Sequence, residues 1–305
     1  MTSVSSMTLE ELKALLAQSA EAKIAGVDRA TIPLRTDYDP RSVYAVQTVL
    51  PIDYGGTPLM VKFGTHVYPR EADAMAYVAS RTTIRIPRLY AVFTDSHPDT
   101  GRTVTYIVQE RIPGTTLEGA WPTLTDVQRE DIARELRDAY NQLGKLSGER
   151  TRLGPISGGW MENLYFRYFR KHFPLEDGEA QTTESFLAYF RRVRGRHTVR
   201  GNWTLDEFLA FFDLRRPPIF SHGDLSAWNV MVADGRLAAI IDWAEAGWYP
   251  YFWDSFCLRR NYTDYRLPGW NSFVDSLCEH FPEEDNFGIV WEPQADFYAD
   301  AKWYA

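Results

Sequence analysis

A loop followed by a hairpin, near residue 230, constrains the fold of this chain more than any other segment. The loop Ser-His-Gly-Asp-Leu-Ser-Ala-Trp-Asn begins at Ser221 and places Asp224 and Asn229 five positions apart (229 − 224 = 5). A strand from Asn229, a turn at Gly235 and a return strand then lead to Asp242. Because Asn229 and Asp242 are almost equidistant from the turn, we expect the hairpin to bring them together. Two carboxylates and one amide could then share one hard divalent cation such as magnesium.

Each half of this pattern also has a structural explanation. Asp-Gly hairpins are common, and an Asn or Asp at the end of a strand often caps a turn. The combination is rarer, since His-Gly-Asp with Asn five positions later should occur by composition in about one chain in a thousand of this length. The joint pattern therefore favours a functional site.

Composition excludes several other classes of protein. The chain has 305 residues, 45% hydrophobic and 24% charged, as soluble globular proteins do. Its formal net charge of −8 argues against a nucleic-acid partner, which would select a basic surface. We find neither a signal peptide nor an apolar run of membrane-spanning length, and therefore expect a cytoplasmic protein with no membrane association.

Two cysteines, Cys257 and Cys278, are too few for a disulfide framework or a cysteine-based zinc site, and we expect two buried thiols.

The predicted elements change from strands to helices near Pro113-Gly114. Before that point, the patterns predict helices at 8–22 and 69–80 and strands at 42–50, 57–63, 88–93 and 104–111. After it, capping residues and apolar periodicity predict helices at 125–146, 184–193, 205–214, 251–260 and 270–281. This segregation indicates an α+β fold, with a small antiparallel sheet in residues 1–112 and a mainly helical part in residues 113–305.

The loop and hairpin resemble the catalytic and metal-binding loops of the aminoglycoside phosphotransferase family, a branch of the protein-kinase-like fold. In protein kinases the loop reads His-Arg-Asp with Asn five positions later, and the metal-binding Asp begins Asp-Phe-Gly. Here Gly223 replaces the Arg and Asp242 lies in Ile-Asp-Trp, as in the small-molecule branch. The run from Asp242 to Pro250 is most similar to fungal members. The family usually has an acidic residue after the Trp, where this chain has Ala244 followed by Glu245.

The resemblance implies a two-lobed, kinase-like protein with a small β-sheet N-lobe and a helical C-lobe. It assigns Asp224 to orient an acceptor hydroxyl and accept its proton, and Asn229 and Asp242 to bind Mg²⁺. It also implies that Lys62, held by Glu71, grips the phosphates of ATP. Taken alone, Lys62 could be an edge-strand residue and Glu71 a carboxylate favoured by a helix N-terminus.

Three further assignments follow from the same resemblance. The Glu110 carbonyl and the Ile112 amide would pair with adenine, although an ordinary strand end before a Pro-Gly turn explains this segment equally well. His222 would brace the loop and would not act as a base. Asp254 would hold the loop backbone from the next helix.

The resemblance implies an ATP- and Mg²⁺-dependent phosphotransferase acting on a hydroxyl group of a small molecule. Two alternatives remain open. The chain contains no Gly-x-Gly-x-x-Gly, and the segment 36–41, where the phosphate-covering loop is expected, has no glycine. This departure would suit a pseudokinase that binds nucleotide without chemistry. A kinase-fold enzyme that has taken on other metabolite chemistry is the second alternative.

Overall fold

The computed structural model describes residues 4–24, 47–97, 101–146, 153–158, 182–194, 205–210, 212–260 and 266–279. The strands in this part are β1 (Thr48–Tyr54), β2 (Thr57–Gly64), β3 (Leu89–Ser96), β4 (Thr103–Glu110), β5 (Thr115–Thr116), β6 (Gly154–Pro155), β7 (Ile219–Ser221), β8 (Val230–Ala233), β9 (Arg236–Ile240) and β10 (Gly247–Tyr249). The α-helices are α1 (Leu9–Ile24), α2 (Pro69–Arg81), α3 (Leu117–Ala120), α4 (Asp126–Lys145), α5 (Thr183–Arg194), α6 (Leu205–Leu209), α7 (Trp253–Arg260) and α8 (Trp270–Leu277).

The first four strands form one antiparallel sheet in the order β1-β2-β4-β3. Helix α1 covers one face of it, because Leu12 and Leu16 pack into a buried cluster with Leu59 and Val61 of β2. Successive side chains of a strand point to opposite faces, so Lys62 lies on the face away from α1. The N-terminal helix thus supports the strand that carries Lys62.

Strand β1 differs from the prediction, which placed a strand at 42–50 and a loop from Asp53 to Gly56. The described strand runs to Tyr54, and the turn consists of Gly55 and Gly56 alone, with φ of 61° and 83°. Two residues with positive φ suffice to close a hairpin, so Asp53 and Tyr54 remain in the ladder opposite Pro58 and Thr57. Residues 42–46 lie outside the described part of the chain.

The helical part of the protein has its own core. Helix α4 begins with a capping box, in which Thr125 and Gln128 each accept a hydrogen bond from the other's backbone N–H. Its apolar face, including Ile132 and Leu136, joins a buried cluster with Leu225 and Val230. The predicted core face of this helix is therefore the surface on which the loop and hairpin rest.

The pairing of the strands changes between Glu110 and Thr115. Strand β4 belongs to the first sheet, whereas β5 pairs with β8 in the sheet β5-β8-β9. Gly114 lies between them with φ of 99°, and a Cβ there would stand 2.1 Å from the Val232 carbonyl oxygen. This crossing supports a proposed division of the chain between residues 112 and 113.

The predicted helices are present, with ends that differ by a few residues. Helix α6 ends at Leu209 and α8 at Leu277, both earlier than predicted, and Cys278 beyond α8 has an extended backbone. The predicted phosphate-covering segment 36–41 lies outside the described residues. Within the described residues, none of the helices combines the length and apolar character needed to span a membrane.

Candidate active site

The loop 221–229, here called the Asp224 loop, is held at its start by helix α7. The Asp254 carboxylate accepts the backbone N–H groups of His222 and Gly223 at 2.8 and 2.9 Å, which confirms the predicted contact. Gly223 has φ of 88°, and a Cβ there would stand 2.2 Å from the Glu245 carbonyl oxygen. Glycine is therefore required at this position both for its backbone conformation and for space.

The buried His222 ring also braces the loop. Its Nε2 lies 2.9 Å from the Ile241 carbonyl oxygen, and its Nδ1 accepts the Asp224 backbone N–H at 3.3 Å. A neutral ring with the proton on Nε2 satisfies both contacts. Burial lowers the pKa of His222 to about 4, so the ring remains neutral at pH 7. Both ring nitrogens are engaged, which agrees with the expected bracing role.

The hairpin brings Asp242 back towards Asn229. Its turn is formed by Asp234 and Gly235, with φ of 52° and 73°, and Val230 pairs with Ile240. A bulge in β9 shifts the register by one residue, so the Ile241 N–H bonds to the Asn229 carbonyl at 2.9 Å. Asp242 follows with a left-handed backbone, at φ of 61°, and begins the segment 242–246, here called the Asp242 turn.

Asn229 and Asp224 are joined directly. The Asn229 amide nitrogen Nδ2 donates to the Asp224 carbonyl oxygen at 2.8 Å and to its carboxylate oxygen Oδ2 at 3.2 Å. Because Nδ2 makes both bonds, Oδ1 is the Asn229 atom suited to a cation. Burial, together with the charge of Asp242, raises the pKa of Asp224 to about 7, although the bond from Asn229 opposes the shift.

Lys62 reaches the same region from the other lobe. Its Nζ lies 3.0 and 2.8 Å from the two carboxylate oxygens of Glu71, and 2.5 Å from Oδ1 of Asp242. The Lys62 and Glu71 side chains are buried, whereas the Asp242 side chain remains 38% exposed. The lysine therefore connects helix α2 with the Asp242 turn, and Asp242 is 180 residues from Lys62 in sequence.

The charges of Lys62, Glu71 and Asp242 shift one another's pKa values. Burial would lower the pKa of Lys62, but the two carboxylates hold it above its usual range. Partial loss of surrounding water would likewise raise the pKa of Asp242, yet the charge and hydrogen bond of Lys62 hold it below its usual value. The charged form of Glu71 is not favoured in the same way. Burial and the Asp242 charge outweigh the effect of Lys62 and raise the pKa of Glu71 to about 7.

The two residues expected at the adenine edge stand apart from this group. Glu110 ends strand β4, where its N–H donates to the Arg88 carbonyl at 2.8 Å and its carboxylate accepts the Arg88 N–H at 3.1 Å. Ile112 follows in the crossing segment and is partly buried. Among the described hydrogen bonds and ion pairs, none joins Glu110 or Ile112 to Lys62 or to the Asp224 loop.

The donor set fits magnesium better than zinc or another soft metal. The described residues contain no cluster of three or more His, Cys, Asp or Glu side chains able to hold a metal. What the two segments offer is the side-chain oxygen Oδ1 of Asn229 and the carboxylate of Asp242. Mg²⁺ takes oxygen ligands and completes its coordination with water and substrate phosphates, so two protein ligands suit it.

One group of contacts was not predicted from the sequence. The Trp253 indole nitrogen Nε1 donates to the Gly223 carbonyl at 2.9 Å, and the buried thiol of Cys257 lies 3.6 Å from the same oxygen. Cys257 and Cys278 are both free and buried, as expected. The aromatic run ending at Trp253 is the only sequence signal for the indole contact, and such a run more often indicates core.

The sheet with one helix, the helical second lobe and the loops between them define a protein-kinase-like, two-lobed α+β fold. Among solved structures, aminoglycoside phosphotransferase APH(4)-Ia is similar over 93% of this chain and 94% of that chain, with 16% identity and a TM-score of 0.55. Aminoglycoside-3′-phosphotransferase of type VIII is similar over 80% and 88%, with 18% identity and a TM-score of 0.47. The gentamicin complex of APH(2″)-IIa is similar over 83% and 80%, with 15% identity and a TM-score of 0.48.

The family is established by the sequence. The model of the phosphotransferase enzyme family, APH, matches residues 33–285. This match covers most of the chain, so the protein belongs to that family and the predicted resemblance is confirmed. A search of curated protein sequences finds no match to the chain.

Proposed function

We propose that this protein is an ATP- and Mg²⁺-dependent phosphotransferase that acts on a hydroxyl group of a small molecule. The observation that carries the proposal is the position of Lys62, whose ammonium group contacts Glu71 at 2.8 Å and Asp242 at 2.5 Å. Next to this group, Asn229 holds the Asp224 carboxylate. These five polar side chains, which come from both lobes, are of the types that phosphoryl transfer uses, and their contacts support the proposal.

The roles follow from the chemistry of each group. Asp224 orients the acceptor hydroxyl and accepts its proton as the new O–P bond forms and the bond from the γ-phosphorus to the ADP oxygen breaks. Lys62, positioned by Glu71, neutralises phosphate charge. Asn229 and Asp242 would hold Mg²⁺, which when bound offsets the charge that develops on the phosphates. The Glu110 carbonyl and the Ile112 amide would bind adenine through backbone atoms.

Replacement of Asp224 by Asn tests the central assignment. The amide keeps the shape of the side chain but cannot accept the hydroxyl proton, so we expect kcat to fall by at least about a hundredfold. Binding of ATP, measured by calorimetry, should change little. Asp234→Asn is the matched control, because Asp234 lies in the turn of the same hairpin and outside the site. Turnover is measured as ADP release with Mg²⁺ and a panel of hydroxylated small molecules, including hygromycin B and gentamicin, which are bound in two similar structures.

The same assay separates the alternatives. ATP binding by the wild-type protein without ADP release from any acceptor would favour a pseudokinase. Conversion of a metabolite in the absence of ATP and Mg²⁺ would favour other chemistry in the same cleft. An unchanged rate in Asp224→Asn would contradict the assignment of this residue.

A further inference from the structure

The first turn of helix α7 holds Gly223 from two sides. The Trp253 indole N–H donates to the Gly223 carbonyl at 2.9 Å, and the Asp254 carboxylate accepts the Gly223 N–H at 2.9 Å. Both peptide groups of Gly223 are therefore fixed in orientation. The next residue along the chain is Asp224.

The Trp253 ring also contacts the segment that follows the Asp242 turn. It stacks on Tyr249, with ring centroids 5.1 Å apart and an interplanar angle of 19°. Phe186 of helix α5 meets the same indole edge-on, with ring centroids 5.8 Å apart. Trp253 is fully buried and Tyr249 is 2% exposed. A ring enclosed in this way has little freedom to move independently of its neighbours.

Tyr249 closes the connection. Its hydroxyl group donates to the Glu245 carbonyl at 2.7 Å, and Glu245 lies in the Asp242 turn. The same carbonyl oxygen is the atom that would stand 2.2 Å from a Cβ on Gly223. A circuit of contacts therefore runs from Gly223 through Trp253, Tyr249 and Glu245 back to Gly223.

We propose that Trp253 and Tyr249 are positioning residues that lock the Asp224 loop to the Asp242 turn. They hold the Asp224 carboxylate, which would orient the acceptor, at a set distance from the Asp242 carboxylate, which would bind the metal ion. This inference rests on the proposed function for its effect on turnover. Phosphoryl transfer depends mainly on positioning, so a small shift between the two loops should lower the rate and leave nucleotide binding largely intact.

Two conservative substitutions interrupt the circuit at different points. Tyr249→Phe removes the hydroxyl bond to Glu245 and keeps the stacked ring. Trp253→Phe removes the N–H bond to Gly223 and keeps an aromatic ring. We expect each variant to lose about ten- to a hundredfold in kcat, while KM for ATP changes less than about threefold. The double variant should lose little more than Trp253→Phe alone, because both residues act through one circuit.

Trp270→Phe is a closely matched control. Trp270 is also fully buried, donates its indole N–H to the Leu258 carbonyl at 2.9 Å, and stacks on Phe273 with centroids 5.2 Å apart. Its substitution removes the same kind of bond from the same lobe, and the bonded carbonyl belongs to Leu258 near the end of helix α7, not to the Asp224 loop. We expect a similar loss of thermal stability and an unchanged kcat.

Amide hydrogen exchange tests the lock without relying on turnover. Tyr249→Phe should accelerate exchange of the His222 and Gly223 amides, which donate to Asp254 and not to the Tyr249 side chain. Trp253→Phe should accelerate exchange of the Ala246 amide, which bonds to the Trp243 carbonyl at 3.1 Å. Each effect should be about three- to tenfold, as for the loss of one net hydrogen bond. Trp270→Phe should change none of these amides.

The outcomes distinguish the lock from the proposed function. If exchange in each variant rises in the opposite loop while the wild-type protein turns over no ATP, the lock is supported and the proposed function is contradicted. If the wild-type protein turns over ATP but each substitution changes exchange only in the segment that its residue contacts directly, the lock is overturned and the proposed function stands. Equal losses of kcat in Trp253→Phe and Trp270→Phe would also overturn it.

Discussion

At the scale of one residue, Lys62 is shared between two carboxylates of the site. Its ammonium group lies between the carboxylates of Glu71 and Asp242, and it contacts Oδ1, one of the two oxygens with which Asp242 could bind a divalent cation. A cation that approaches Asp242 without nucleotide must therefore compete with a positive charge at 2.5 Å. Phosphate groups would attract the ammonium group and free Oδ1 of Asp242. Metal ion and nucleotide should bind cooperatively.

Substitution of Lys62 by Met tests this competition. Without the ammonium group, Mn²⁺ in the absence of nucleotide should bind about tenfold more tightly than to the wild-type protein. Electron paramagnetic resonance of free Mn²⁺ measures this affinity directly. Lys13→Met serves as the control, since Lys13 pairs with Asp95 at 2.6 Å on the surface of the N-lobe. Equal Mn²⁺ affinity in wild type and Lys62→Met would contradict the competition.

At the scale of secondary structure elements, helix α1 supports the sheet that carries Lys62. Leu12 is fully buried and packs with Leu59 and Val61, the residues that alternate with Lys62 along β2. The Ser19 hydroxyl adds a bond of 2.7 Å to the Pro51 carbonyl of β1. The predicted accessory helix is thus part of the N-lobe core.

Truncation of Leu12 separates this local support from global stability. Leu12→Ala and Leu143→Ala, which empties a comparable site in α4, should each cost about 2–5 kcal/mol in the free energy of unfolding, measured in urea. Only Leu12→Ala should also weaken ATP binding, because it loosens the strand behind Lys62. Equal ATP affinity in the two variants would show that α1 does not influence the cleft.

At the scale of the whole molecule, acid stability should depend on His222. The folded-state pKa of about 4 lies below the ordinary value of 6.5, so the neutral ring stabilises the fold above pH 6.5 and this contribution is lost as the pH falls through 4. For a fully buried ring the loss is about 3 kcal/mol. Asp254, whose pKa burial raises to about 6, acts in the opposite direction: its contribution is present below its unfolded value and lost as the pH rises through 6.

A difference measurement isolates the histidine. The carboxylates titrate in both wild type and His222→Asn, so their effects largely cancel when the two free energies of unfolding are subtracted. We expect the advantage of the wild type to shrink by about 3 kcal/mol between pH 7 and pH 4. A difference that stays constant over this range would mean that His222 does not titrate on unfolding.

The local elements were predictable because their signals lie close together in sequence. The hairpin needs only Asp234 and Gly235 at its turn, and the start of α4 needs only Thr125 and Gln128. The end of β1 was not predicted, because Asp53 and Pro51 are typical of loops but tolerated at this position in the ladder. Neighbouring strands, not local preference, decided that boundary.

The sequence by itself determined which polar groups this protein has and the hairpin that returns Asp242 to Asn229. Only the tertiary structure decided that Lys62 pairs with Asp242 as well as with Glu71. It also decided that Gly223 must be glycine because the Glu245 carbonyl lies against it. The physical reason is that these contacts join backbone atoms and side chains from distant segments. Such contacts depend on how closely the packed elements approach, and local periodicity and spacing carry no record of that distance.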